Sequence, residues 1–81
     1  MTNEKVGDGH EERIVKAKQV ILKLMTANPN RLWLPSDVII EATEFDQSLK
    51  RMDVHKASEE LIREDSVRFV SGWLVFTKLT N

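Results

Sequence analysis

The 81-residue sequence has no cysteine and no tyrosine, and only two prolines and three glycines. Without cysteine there can be no disulfide and no thiolate metal site, which favours a reducing compartment. The two histidines, His10 and His55, are far apart, and neither belongs to a His-x-x-x-His pattern that would suggest zinc or nucleophilic chemistry. His10 with Glu11 and Glu12 reads as solvated chain, and no glycine-rich phosphate loop is present. No enzyme activity, metal or cofactor is expected. No apolar run approaches the ~18 residues of a membrane span, and Met1-Thr2-Asn3-Glu4-Lys5 lacks a signal-peptide pattern. The expectation is a cytoplasmic protein without membrane contact. A surplus of either charge is also missing: 12 Lys and Arg face 13 Asp and Glu, for a net charge of −1. Phosphate neutralisation supplies much of the affinity for nucleic acid. Any basic footprint here must therefore come from clustering.

What is present is a hydrophobic fraction of 41% and a charged fraction of 31%, the balance of a single small globular domain. Residues 1–10 are charged, with Gly7 and Gly9, and read as a flexible tail before a domain over 11–81. From Glu11 to Ala27, Ile14, Ala17, Ile21, Leu24 and Met25 recur at helical spacing, and Val20 widens the stripe. Val15 and Leu22 lie seven apart off that stripe, so the helix reads as burying a second face, against a partner subunit. Glu11 and Glu12 suit its dipole, and Asn28-Pro29-Asn30 ends it.

Arg31-Leu32-Trp33-Leu34 is extended and apolar, and Trp33 reads as a packing residue. Pro35-Ser36-Asp37 then signals a helix start, with Ser36 or Asp37 as acceptor for free backbone N–H groups. Val38, Ile39, Ala42 and Phe45 form the apolar side of a second helix to about Glu44, whose charged residues Asp37, Glu41 and Glu44 are all acidic. A third helix follows. Its well-packed part begins near Met52, with an added turn from Gln47 as an option and Asp46 and Asp53 as candidate N-caps. Val54, Ala57 and Leu61 give its core stripe. Beyond Asp65-Ser66, two β-rich runs flank Ser71-Gly72, a two-residue hairpin turn in which the glycine takes positive φ. That turn pairs Val70 with Trp73, Phe69 with Leu74, Arg68 with Val75 and Val67 with Phe76. Alternation puts Val67, Phe69, Leu74 and Phe76 on the core face and Arg68, Val70, Trp73 and Val75 on the other. That other face is apolar enough to need a cover, from the first strand or from a partner.

Two stretches carry a family resemblance: Leu34-Pro35-Ser36-Asp37-Val38-Ile39, and Val54-x-x-Ala57-x-x-x-Leu61-Ile62-x-x-Asp65-Ser66-Val67. With the order helix, short strand, helix, helix, hairpin over about Glu11 to Leu79, they resemble the winged helix-turn-helix superfamily of DNA-binding domains. The resemblance implies an α+β fold of three helices, a short first strand and a C-terminal two-stranded wing. It also implies a third helix that reads duplex DNA. The residues so implicated are Lys50, Arg51, His55, Lys56 and Ser58. Lys16, Lys18, Lys23 and Arg31 read either as further phosphate contacts or as solubilising charges. Lys56 with Glu60 reads alternatively as an ordinary i, i+4 pair on a solvated helix. The wing loop, Ser71-Gly72, carries no Arg or Lys.

Two functions compete on these residues. The first is a homodimeric DNA-binding transcription regulator, dimeric because one domain of this charge offers few phosphate contacts, with spare apolar surface at Val15, Leu22 and Trp73. The second is a protein-interaction module that binds no DNA and uses Val70, Trp73 and Val75. Neutral charge, an acidic second helix and an uncharged wing loop favour the second.

Overall fold

Three helices precede one antiparallel hairpin in the computed structural model, which describes residues 10–76. They are α1 (His10–Ala27), α2 (Pro35–Phe45), α3 (Arg51–Arg63), β1 (Val67–Val70) and β2 (Trp73–Phe76). The arrangement is α+β. His10 opens α1, one residue ahead of the expected start; the rest of the expected tail and the chain from Thr77 lie outside the described residues.

The helical stripe of α1 becomes one wall of the core. Ile14, Ala17, Val20, Ile21 and Met25 are buried against Val38 and Ala42 of α2 and Val54, Ala57 and Leu61 of α3. Leu24 and Leu22 are partly buried against this cluster. Leu22 is thus packed in part within the domain, and Val15, 54% exposed, is the open member of the pair. Ala17, Ala42 and Ala57 have no exposed area at all. Side chains this small let the three helices approach closely, and an added methylene at such a position costs about 1–3 kcal/mol.

The helix ends follow backbone chemistry. At α2 the N-cap is Leu34, Pro35 takes the first helical position, and Asp37 reaches back to accept the Leu34 N–H at 3.3 Å. Ser36 has no part in it. Asp46 is the C-cap of α2, not an N-cap of α3, and its carboxylate accepts the Ser48 N–H at 3.0 Å and the Ser48 hydroxyl at 2.6 Å. Residues 46–50 are therefore a turn, with no helical turn from Gln47, and they bury Leu49. At the far end of α3, Asp65 takes φ 66° while its N–H bonds Ile62 O at 3.1 Å and the Ser66 N–H bonds Leu61 O at 3.0 Å. This is a Schellman ending with aspartate in the left-handed position, and it turns the chain directly into β1.

The hairpin has the expected register, Val67↔Phe76 through Val70↔Trp73. Both turn residues have positive φ, Ser71 at 51° and Gly72 at 88°. A type I′ turn requires this, and its twist matches that of the strands. A strand over residues 31–34 does not form. A single antiparallel bridge, Trp33↔Leu74, stands in its place, with N–H···O distances of 3.1 and 2.7 Å. The Asn28–Asn30 turn ends just before this segment and Pro35 opens α2 just after it, and within it only Trp33 pairs.

That bridge decides which hairpin residues are buried. Leu74 lies between Trp33 on one side and β1 on the other, and Val67 lies next to the end of α3; both are buried. Phe69 pairs with Leu74 but lies on the outer edge of the hairpin, and it is 54% exposed. The expectation that Phe69 belongs to the core is thus corrected: alternation gives its face, but the edge position leaves the ring uncovered. Trp33 is buried as expected, with the Arg31 guanidinium 3.7 Å from its ring centroid. Its indole N–H has no hydrogen-bond partner among the described residues.

Candidate nucleic-acid interface

The outward surface of α3 is built by the same periodicity that builds its core. Asp53, Val54, Ala57 and Leu61 point inward, so Arg51, Met52, His55, Lys56, Glu59 and Arg63 fall on the opposite side at 100° per residue. All six are exposed. Well-packed α3 begins at Asp53; Met52 projects into solvent, 66% exposed.

The start of this surface is fixed from below. Asp53 is buried, with 1% of its area exposed. Its Oδ2 accepts the Arg13 Nε–H at 2.9 Å and the Lys50 backbone N–H at 3.0 Å. The carboxylate therefore closes the first turn of α3, favours the positive end of its dipole, and ties α3 to α1. Lys50 at the N-cap and Arg51 at the first helical position are presented by this device.

Charge is sorted between the two sides of α3. Glu60 and Glu64, which make the C-terminal half of the helix acidic in sequence, both turn to Lys18 of α1, at 3.4 and 2.6 Å. The two carboxylates hold the Lys18 pKa above its usual value, with the Glu64 hydrogen bond the larger cause. Lys50, Arg51, Lys56 and Arg63 take part in no ion pair among the described residues. Among the described residues, the outward face thus sets Arg51, Lys56 and Arg63, with Lys50 beside them, against the carboxylate of Glu59. This is the basic cluster that a net charge of −1 conceals.

No family model, no curated protein and no solved structure matches this chain.

The proposed site residues divide by face. Lys50, Arg51, His55 and Lys56 are exposed together on α3. His55 Nε2 lies 3.2 Å from Glu59, a contact that becomes an ion pair when the imidazole is protonated. Ser58 is half-buried, and its hydroxyl donates to Val54 O at 2.9 Å. Lys56 and Glu60, four residues apart on the helix, make no ion pair among the described residues; Glu60 turns to Lys18 instead. Three of the expected auxiliary cations are likewise committed: Lys16 to Asp46, Lys18 as above, and Arg31 to Glu41 at 2.6 Å. Lys23 lies 5.7 Å from the Phe45 ring centroid.

Val70, Trp73 and Val75 share a different surface, the outer face of the hairpin. Val70 is 46% and Trp73 37% exposed, and Val75 is half-buried. Since Trp33 bridges Leu74 on the core side, alternation places Leu32 and Leu34 on this outer side too, and both are exposed. The segment before α2 therefore enlarges the apolar patch.

Two participants escape a sequence reading. Arg63 lies seven residues after Lys56, a spacing that would have revealed it. Phe69 lines an apolar recess of about 300 Å³ beside α3 together with Pro35, Ile62 and Leu74, with His55, Ser58 and Glu59 on the helix side. No local sequence signal marks that recess, because it depends on how far the hairpin overhangs the helix.

Proposed function

We propose that this chain is a small winged-helix DNA-binding protein, a cytoplasmic transcription regulator that reads duplex DNA with α3. The observation that carries this reading is the sorting of charge on α3. Glu60 and Glu64 share Lys18 behind the helix, while Arg51, Lys56 and Arg63 on its outer side make no ion pair among the described residues. A helix of 13 residues is about 20 Å long and enters a major groove about 12 Å wide. Arg51 and Lys56 then contact phosphates or guanine edges, His55 donates to a base or phosphate, and Lys50 contacts the backbone at the helix start. The type I′ turn Ser71-Gly72 has no cation, so affinity rests on the helix.

A homodimer doubles these contacts and aligns two α3 helices with half-sites one turn of DNA apart. Exposed Val15 and the hairpin patch around Trp73 are the apolar surfaces on offer. The test is binding to duplex DNA by fluorescence anisotropy. Arg51→Ala with Lys56→Ala should weaken binding and flatten its salt dependence; unchanged binding excludes α3 as the reading helix.

The second reading, a protein-interaction module without DNA binding, is favoured by one observation: Leu32, Leu34, Val70 and Trp73 are all exposed on one outer face. Trp73 is the expected anchor. Trp73→Ala should abolish partner capture without unfolding the chain, and retained capture would exclude this face.

A further inference from the structure

We infer that the recess between α3 and the hairpin accepts an unpaired nucleobase, so that the basic face of α3 binds a single strand as well as closed duplex. The inference rests on the DNA-binding reading above and extends it to the form of the nucleic acid.

Phe69 is the starting point. Its ring is 54% exposed at the hairpin edge, and it faces Ile62 and Leu74 across an opening of about 300 Å³. A closed base pair in the major groove shows only its edges, with donors, acceptors and methyl groups in the base plane. There a phenyl ring meets at most a thymine methyl and finds no base face to stack on. An unpaired base offers both surfaces: a π-face for Phe69 and a polar edge for the groups along α3. Those groups are suited to such an edge. Glu59 accepts from an exocyclic amine, the His55 ring donates from an N–H, and the Ser58 oxygen remains an acceptor while its proton goes to Val54 O.

Charge complementarity names the occupant. The recess lies along the side of α3 that carries Arg51, which with Lys56 and Arg63 makes no ion pair among the described residues. Arg51, on the same side of α3 and one turn before His55, fits a phosphate beside a base held in the recess; an apolar peptide would leave that cation unmatched. The carboxylate of Glu59 favours cytosine or adenine, which carry an amine, over thymine, which presents a carbonyl in its place.

The test compares labelled oligo(dC), oligo(dT) and a blunt-ended duplex by fluorescence anisotropy, with wild type, Phe69→Ala, Phe69→Leu and the Arg51→Ala/Lys56→Ala pair. Circular dichroism checks that each variant folds. The expected result is binding of oligo(dC) more tightly than oligo(dT). Phe69→Ala should weaken single-strand binding by about fivefold or more and leave duplex binding unchanged. Phe69→Leu, which keeps an apolar side chain without a π-face, should lose most of the same affinity. Single-strand binding unaffected by Phe69→Ala overturns the recess while duplex binding that needs Arg51 and Lys56 still supports the reading of α3. Failure to bind any of the three probes overturns both.

Discussion

Arg13 on α1 donates its Nε–H to the buried carboxylate of Asp53 on α3 at 2.9 Å, and the same Asp53 oxygen accepts the Lys50 N–H at 3.0 Å. One side chain therefore caps α3, joins it to α1 and sets the position from which Lys50 and Arg51 project.

Replacing that side chain separates its roles. Asp53→Ala removes the cap acceptor and leaves a buried gap, and it should cost about 1–3 kcal/mol. Asp53→Asn keeps the shape and an acceptor for Lys50, so it should cost less. Urea unfolding followed by circular dichroism measures both. A null effect for Asp53→Ala would show that α3 needs no anchoring at its start.

The hairpin turn offers a gain and a loss side by side. Ser71 has φ 51°, where serine is strained and asparagine is favoured in an Asn-Gly turn. Ser71→Asn should therefore stabilise by about 0.5–1 kcal/mol. At Gly72, φ is 88° and a Cβ would meet nothing within 4 Å, so the penalty of Gly72→Ala is conformational alone, about 1 kcal/mol. Melting temperatures should move in opposite directions for the two variants.

Much of this fold is legible in the sequence because it rests on periodicity and backbone chemistry. The α1 stripe, the proline at the start of α2, the inward residues of α3 and the hairpin register all follow from spacing. The misreadings share one cause, dependence on a distant residue. Glu60 looks like a partner of Lys56 four residues away, but Lys18, 42 positions distant, holds it instead. Phe69 has the core-facing phase of Leu74, yet only Leu74 is covered by Trp33. Asp46 and Asp53 both look like N-caps, and the choice between their roles lies in Ser48 and Arg13. Charge sorting around α3 is invisible in a net charge for the same reason.

Lys18 is therefore predicted to influence DNA binding without touching DNA. Lys18→Gln leaves Glu60 and Glu64 without their shared cation and makes α3 more negative. Stability should fall by no more than about 1 kcal/mol, as expected for exposed pairs. Duplex affinity at low salt should fall several-fold, and the difference should shrink as added salt screens the carboxylates. Equal affinity of the variant and wild type would show that the charge behind α3 is irrelevant to binding.

Acid stability should depend on the turn between α2 and α3. The Ser48 hydroxyl, then its N–H, then Lys16 hold the Asp46 pKa below its usual value. A lowered folded-state value means that the contribution is present above the ordinary aspartate pKa of about 3.9 and is lost as pH falls through the folded value. Ser48→Ala should lower the melting temperature at neutral pH, and the gap to wild type should close as pH falls through the folded-state value. A gap that persists in acid would assign the effect to the turn and not to the carboxylate.

The central claim is that the outward face of α3 meets DNA phosphates, and its most direct test is duplex binding as a function of salt. Fluorescence anisotropy with a random duplex should show affinity falling linearly with salt on logarithmic axes. Replacing Arg51 and Lys56 by alanine should reduce the slope by about 2, one for each phosphate contact removed. A wild-type affinity that is insensitive to salt, or a slope unchanged by the double substitution, would contradict the assignment of α3 as a DNA-binding helix.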